Sequence, residues 1–236
     1  MKAKLASLFI AAWYWANIRS WATLVLALNL RIEVMGLENV PKKGAFILAS
    51  NHVNLADPPI LIVKTPRRIA WMAKKELFDV PIIGLCYRFY GCLPVKRGQA
   101  DLTALRKAQE ALDRGLPLGM FPEGTRTGKP GLKEAEPGTA LIALRTGVPV
   151  LPVAISGSEP CTFPGGLFYW LTRRQPKIRV VFGELFSLPA PSPIRKTDVE
   201  AGTTRIMREI AALLPPEYRG VYGEAKLQVS SRTEPA

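Results

Sequence analysis

A chain of 236 residues with 48% hydrophobic content can bury one sizeable core, and no internal repeat or long linker divides it. Lys and Arg number 32 against 19 Asp and Glu, and the net charge of +13 points to an anionic partner: nucleic acid, an acidic lipid surface or a phosphorylated small molecule. With one histidine and three cysteines (Cys86, Cys92 and Cys161) that lack metal-ligand spacing, there is no zinc site to assemble, and the thiols read as small core residues in a reducing compartment.

Residues 5–30 are rich in Leu, Ala, Ile and Trp, but Asn17, Arg19 and Ser20 split them into two apolar pieces. Each piece is shorter than the ~20 residues a bilayer-spanning helix needs. Trp13, Tyr14, Trp15 and Trp21 suit the headgroup level, and Lys2, Lys4, Arg19 and Arg31 can meet anionic lipid. Residues 1–34 are therefore expected to be an amphipathic helical segment that anchors the chain on an anionic membrane surface, peripheral or monotopic, at the cytoplasmic face. A signal peptide would need a small-residue cleavage site that does not follow.

The domain proper is expected over residues 35–223, with residues 224–236 a disordered polar tail. Residues 44–50 form a short apolar run that predicts a buried strand, and Asp57-Pro58-Pro59 predicts a helix start with Asp57 as its N-cap. Residues 68–73 read as a strand, 80–90 as a short apolar helix ending at Gly91, and Cys92 to Val95 leads into Lys96-Arg97. Leu102, Leu105, Ala108 and Leu112 share one face of an amphipathic helix over 101–114. A strand over 116–121 follows, then the loop Pro122-Glu123-Gly124-Thr125-Arg126, a helix from Thr139 to Arg145 closed by Gly147, and a strand over 148–155. Pro149 and Pro152 predict an edge or irregular position for that strand. Residues 178–182 read as a final strand and 199–214 as a helix. Strands alternating with helices predict an α/β fold, a mixed sheet flanked by helices, whose ligands gather at strand carboxyl ends.

Three of those ends carry chemistry: His52 with Asp57, Lys96 with Arg97, and Glu123 with Gly124, Thr125 and Arg126. On one continuous helix, residues five apart would lie about 140° apart and pair poorly. A strand-to-helix turn would let the Asp57 carboxylate accept a hydrogen bond from one imidazole nitrogen, fix the tautomer and leave the other nitrogen free to take a proton. Asp57 as a mere cap and His52 as an ordinary loop residue is the plainer alternative. Arginines bind phosphate through paired, charge-assisted hydrogen bonds, and Gly124 lets backbone approach a ligand closely.

Asn51-His52-x4-Asp57, Gly91-x5-Arg97, Phe121-Pro122-Glu123-Gly124-Thr125-Arg126 and Val148-Pro149-Val150-Leu151-Pro152-Val153 together resemble, in order and spacing, the four motif blocks of the glycerolipid acyltransferases. The match is to the 1-acyl-sn-glycerol-3-phosphate acyltransferase (lysophosphatidic acid acyltransferase) branch, over roughly residues 35–160. The resemblance implies the glycerolipid acyltransferase fold. It also implies acyl transfer from acyl-CoA or acyl carrier protein to the sn-2 hydroxyl of lysophosphatidic acid, giving phosphatidic acid, with the thioester as co-substrate and no cofactor or metal.

In this reading His52 is the general base and Asp57 orients it. Arg97 and Arg126 hold phosphate, Glu123 helps position the acceptor, and Lys96 is either a ligand contact or part of a solvated basic face. Position 54 is Asn where serine is common, which touches only fine substrate choice. Glycerol 3-phosphate or another lysolipid are alternative acceptors. A cysteine nucleophile activated by His52 would make a thioesterase instead, and a membrane-tethered nucleic-acid binder lacks any recognised motif.

Overall fold

The computed structural model describes residues 31–89, 91–96, 102–161, 176–189 and 191–223. The expected anchor over residues 1–30, Arg97 and the tail over 224–236 lie outside them. Among the described residues, no helix is long and apolar enough to cross a membrane.

Strands β1 (Arg31–Met35), β2 (Ile47–Ser50), β3 (Ala70–Lys74), β4 (Leu93–Val95), β5 (Leu118–Met120), β6 (Val150–Ser156) and β7 (Lys177–Phe182) form one sheet in the order β1-β7-β6-β2-β5-β3-β4. From β6 through β4 all neighbours are parallel, whereas β7 runs antiparallel to β6 and carries β1 parallel to itself. The carboxyl ends of β2, β3, β4, β5 and β6 therefore open on one rim. The helices are α1 (Asp57–Lys64), α2 (Pro81–Phe89), α3 (Leu102–Asp113), α4 (Gly138–Thr146) and α5 (Lys196–Leu213).

Side-chain alternation along β2 builds two cores. Ile47 and Ala49 point to the face packed with Ala108, Ala140 and Met207 of α3, α4 and α5, while Phe46 and Leu48 point to the face packed with Ile60, Leu61 and Val63 of α1. A strand buried on both faces must read as a continuous apolar run, and Phe46-Ile47-Leu48-Ala49 does.

Two expectations need correction. Residues 31–34, assigned to the anchor, belong to β1: Arg31 to Met35 pair in register with Lys177 to Val181. Its alternating exposed and half-buried residues are the pattern of a sheet edge. The strand expected over 148–155 forms as β6, with Pro149 just before it and Pro152 within it, and is not at an edge but central, between β7 and β2. The irregularity foreseen there is real. The Pro152 carbonyl accepts the Gly183 N–H, so the N–H that proline lacks falls on the β7 side. Pairing then resumes one residue out of step at Val150 and Phe186, which exchange both backbone bonds.

Past the end of β2, Asn51 continues the sheet with its side chain. Its Oδ1 accepts the Ile155 N–H at 2.8 Å and its Nδ2 donates to the Ile155 carbonyl at 2.8 Å. The amide thus replaces a backbone neighbour just where the chain must turn away to present His52.

Asn51→Ala would leave a buried N–H and a buried carbonyl of β6 unpaired. A loss of about 1–3 kcal/mol for each group is expected, read as a lower urea midpoint with an unchanged slope.

Candidate active site

The dyad forms. His52 Nδ1 lies 2.9 Å from Asp57 Oδ2, and the same oxygen accepts the backbone N–H groups of Val53 and Asn54, each at 2.7 Å. A carboxylate can only accept, so Nδ1 carries the proton and Nε2 is left as the acceptor. Asp57 is fully buried and His52 is 7% exposed. Asp57 does not cap α1 with its side chain, as its position before Pro58 and Pro59 suggested. The helix begins on Asp57 itself, with Ala56 at the cap and no side-chain cap bond. The carboxylate turns back to hold the loop that precedes it, which keeps it near a histidine five residues away.

The imidazole is also fixed face-on. It stacks on Phe121 at 4.1 Å between centroids and 21° between planes, and Phe121 stacks on Trp71 at 5.1 Å. Trp71 of β3 lies across β5 at Gly119, where an added Cβ would fall 2.6 Å from the indole ring. A glycine inside a three-residue strand thus makes room for the stack that ends at the His52 ring.

The loop after β5 is zipped to the His52 loop. Thr127 N and Gly128 N donate to the carbonyls of His52 and Val53 at 2.8 and 3.0 Å. Glu123, 4% exposed, accepts the His52 N–H on one oxygen and the Lys133 N–H on the other, both at 2.9 Å. Burial pushes its carboxyl above the usual range, and the two amide bonds partly offset this. Both oxygens of Glu123 thus serve main-chain donors, a bracing role that sequence reasoning did not assign. Gly124 takes a left-handed φ of 66°, which turns Thr125 and Arg126 outward to exposed positions. Lys133, also missed, donates its ammonium to the Arg126 carbonyl at 3.1 Å.

Lys96 is exposed just past β4, at the same rim. Asn54 reaches across to the Glu159 carbonyl at 2.9 Å while accepting the Ala56 N–H at 3.0 Å, a span that serine is too short to make. The thiols of Cys92 and Cys161 are pushed up to about 12, chiefly by burial, and so stay protonated near neutrality. Neither is suited to be a nucleophile. Among the described residues no group of His, Cys, Asp and Glu could hold a metal ion.

A family model described as Acyltransferase matches residues 31–156, from β1 through β6, which spans the dyad, the Glu123 loop and the central sheet. The chain belongs to the acyltransferase family. A 1-acyl-sn-glycerol-3-phosphate acyltransferase of Pseudomonas aeruginosa is 31% identical over 208 residues, covering 84% of this chain and 77% of that one. A chloroplastic 1-acyl-sn-glycerol-3-phosphate acyltransferase of Brassica napus is 29% identical over 141 residues, 58% of this chain, and the chain spans only 41% of that protein's length. The crystal structure of the 1-acyl-sn-glycerophosphate acyltransferase PlsC from Thermotoga maritima superposes with a TM-score of 0.63 at 28% identity, covering 84% of this chain and 78% of that one. The mixed α/β sheet flanked by helices is the acyltransferase fold of that enzyme.

Gly119→Ala should displace Trp71 and, through Phe121, the imidazole. The expected cost is about 1–3 kcal/mol of overpacking, seen as a lower melting temperature and a weakened near-ultraviolet dichroism signal from the packed aromatic rings.

Proposed function

We propose that this acyltransferase moves a fatty acyl group from acyl-CoA or acyl carrier protein to the sn-2 hydroxyl of 1-acyl-sn-glycerol 3-phosphate, giving phosphatidic acid. The observation that carries the reading is the buried His52–Asp57 pair at 2.9 Å, held beside the Glu123–Arg126 loop at one sheet rim. Family relatives bearing that substrate in their names support the choice of acceptor.

In the proposed step, Nε2 of His52 takes the proton of the acceptor hydroxyl as its oxygen attacks the thioester carbonyl carbon. The C–O bond forms, the C–S bond of the tetrahedral intermediate breaks, and the thiolate leaves with the proton His52 took up. Asp57 keeps Nδ1 protonated and offsets the positive charge that develops on the ring. Arg126 and Arg97 bind the phosphate, with Lys96 and the Gly124–Thr125 backbone at the same rim. Every covalent change occurs between the two substrates, so no protein nucleophile is needed.

The net charge of +13 and the aromatic, basic segment over residues 1–30 support an anchor on anionic lipid. The acceptor, itself a lipid, would then reach the dyad from the membrane surface.

Two variants test the base. His52→Ala should lower kcat by at least ~100-fold in acyl transfer to 1-acylglycerol 3-phosphate in detergent micelles. Asp57→Asn can turn its amide oxygen toward the three N–H donors and keep the loop, yet it loses the charge and buries its NH2 at the unpartnered Oδ1 position; a folded protein with a lower melting temperature and, assayed well below it, a kcat loss of ~100-fold or more is expected. Equal rates in wild type and His52→Ala would remove the base, while transfer only to another lysolipid would move the acceptor and leave the mechanism. For the anchor, a chain lacking residues 1–28 should pass from the membrane pellet to the soluble fraction; unchanged carbonate-resistant binding would refute it.

A further inference from the structure

The segment after α5 lies beyond residues 31–156, the stretch matched by the family, yet it grips both loops that hold the dyad. Tyr218, 9% exposed, sits in a short turn at Pro216–Tyr218. Its hydroxyl accepts the Gly157 N–H at 3.0 Å, at the exit of β6. Burial, with the Glu159 carboxylate nearby, pushes the phenol up to about 12, so it stays protonated near neutrality. The Glu159 carbonyl receives the Asn54 amide at 2.9 Å, and the Asn54 N–H is one of the three donors on Asp57 Oδ2.

The main chain of the same residue reaches the other loop. The Tyr218 carbonyl accepts the Leu132 N–H at 3.0 Å, and the Val221 N–H returns to the Leu132 carbonyl at 3.3 Å. The next residue, Lys133, donates its N–H to Glu123, which holds the His52 N–H. Tyr222 adds a bond from the Ala135 N–H to its hydroxyl at 3.3 Å. Gly220 is pressed so closely on the Leu132 backbone that no side chain fits there. Two routes, one through Asn54 and Asp57 and one through Glu123, thus run from Tyr218 to the two sides of His52.

We infer that Tyr218 is a positioning residue for acyl transfer, a C-terminal clasp that fixes the imidazole by holding the Gly157–Cys161 and Glu123–Lys133 segments in register. The acyl-transfer part rests on the function proposed above; the clasp itself does not. The hydroxyl serves the Asn54 route and the main chain the Glu123 route, so Tyr218→Phe cuts only the first. Asn54→Ser cuts the same route at its other end by shortening the reach to Glu159.

His52 is the only histidine, so in the full chain labelled with ¹⁵N-histidine its Nδ1–H resonance reports the dyad without any substrate. In Tyr218→Phe that proton should exchange with solvent faster and broaden, and Asn54→Ser should reproduce the change if Tyr218→Phe folds poorly. Transfer to 1-acylglycerol 3-phosphate, assayed well below the variant's melting temperature, should show kcat lowered ~10-fold or more with KM for both substrates little changed. The double variant should lose no more than the worse single one, because both substitutions cut one connection. An unchanged Nδ1–H resonance in folded Tyr218→Phe overturns the clasp, as do kcat losses that multiply in the double variant. If the resonance changes but wild type transfers no acyl group to any lysolipid, the clasp stands and the proposed reaction falls.

Discussion

A single carboxylate oxygen organises this protein. Asp57 Oδ2 gathers the His52 Nδ1–H and the N–H groups of Val53 and Asn54 at full burial. A buried carboxylate is costly unless donors meet its charge; three converge on Oδ2, while Oδ1 is buried without a hydrogen-bond partner among the described residues. The same bonds determine where the chain leaves β2, how the turn closes and which way the imidazole faces. Remove that acceptor oxygen and the turn loses the reason for its shape.

The surrounding structure keeps that oxygen and its histidine in place from several directions. Asn51 ties the strand end to β6, Glu123 ties the His52 amide to the Lys133 loop, and Phe121 presses on the ring face with Trp71 behind it. Their shared effect is to limit the motion of the imidazole. Apolar packing and amide bonds do this work in the buried half of the site. Two cations, Lys96 and Arg126, stand at exposed positions on the rim.

Much of this could be read in advance because some patterns are local. The strands and helices show in periodicity, the rim in the alternation of apolar runs with polar turns, and the dyad in having one histidine with an aspartate five residues on. The proline rule misplaced one strand. It accounts for a missing N–H but cannot say which neighbour that N–H would have faced, and β6 meets Pro152 with the side where its ladder to β7 already falters. Residues 31–34 read as anchor from the sequence because strand β1 has no local partner; what makes it a strand is β7, more than 140 residues away in sequence.

What the sequence by itself determined was the family's chemistry: four ordered motif blocks, a single possible base and the basic loop after β5. These follow from residue type and spacing, which a chain carries without folding. Only the tertiary structure decided that Glu123 braces two backbones, that Gly119 makes room for an aromatic stack, that Asn54 reaches the β6 exit and that Tyr218 clasps both loops. Each of those depends on a contact between segments distant in the chain. Such a contact exists only once the sheet has brought those segments to the same rim.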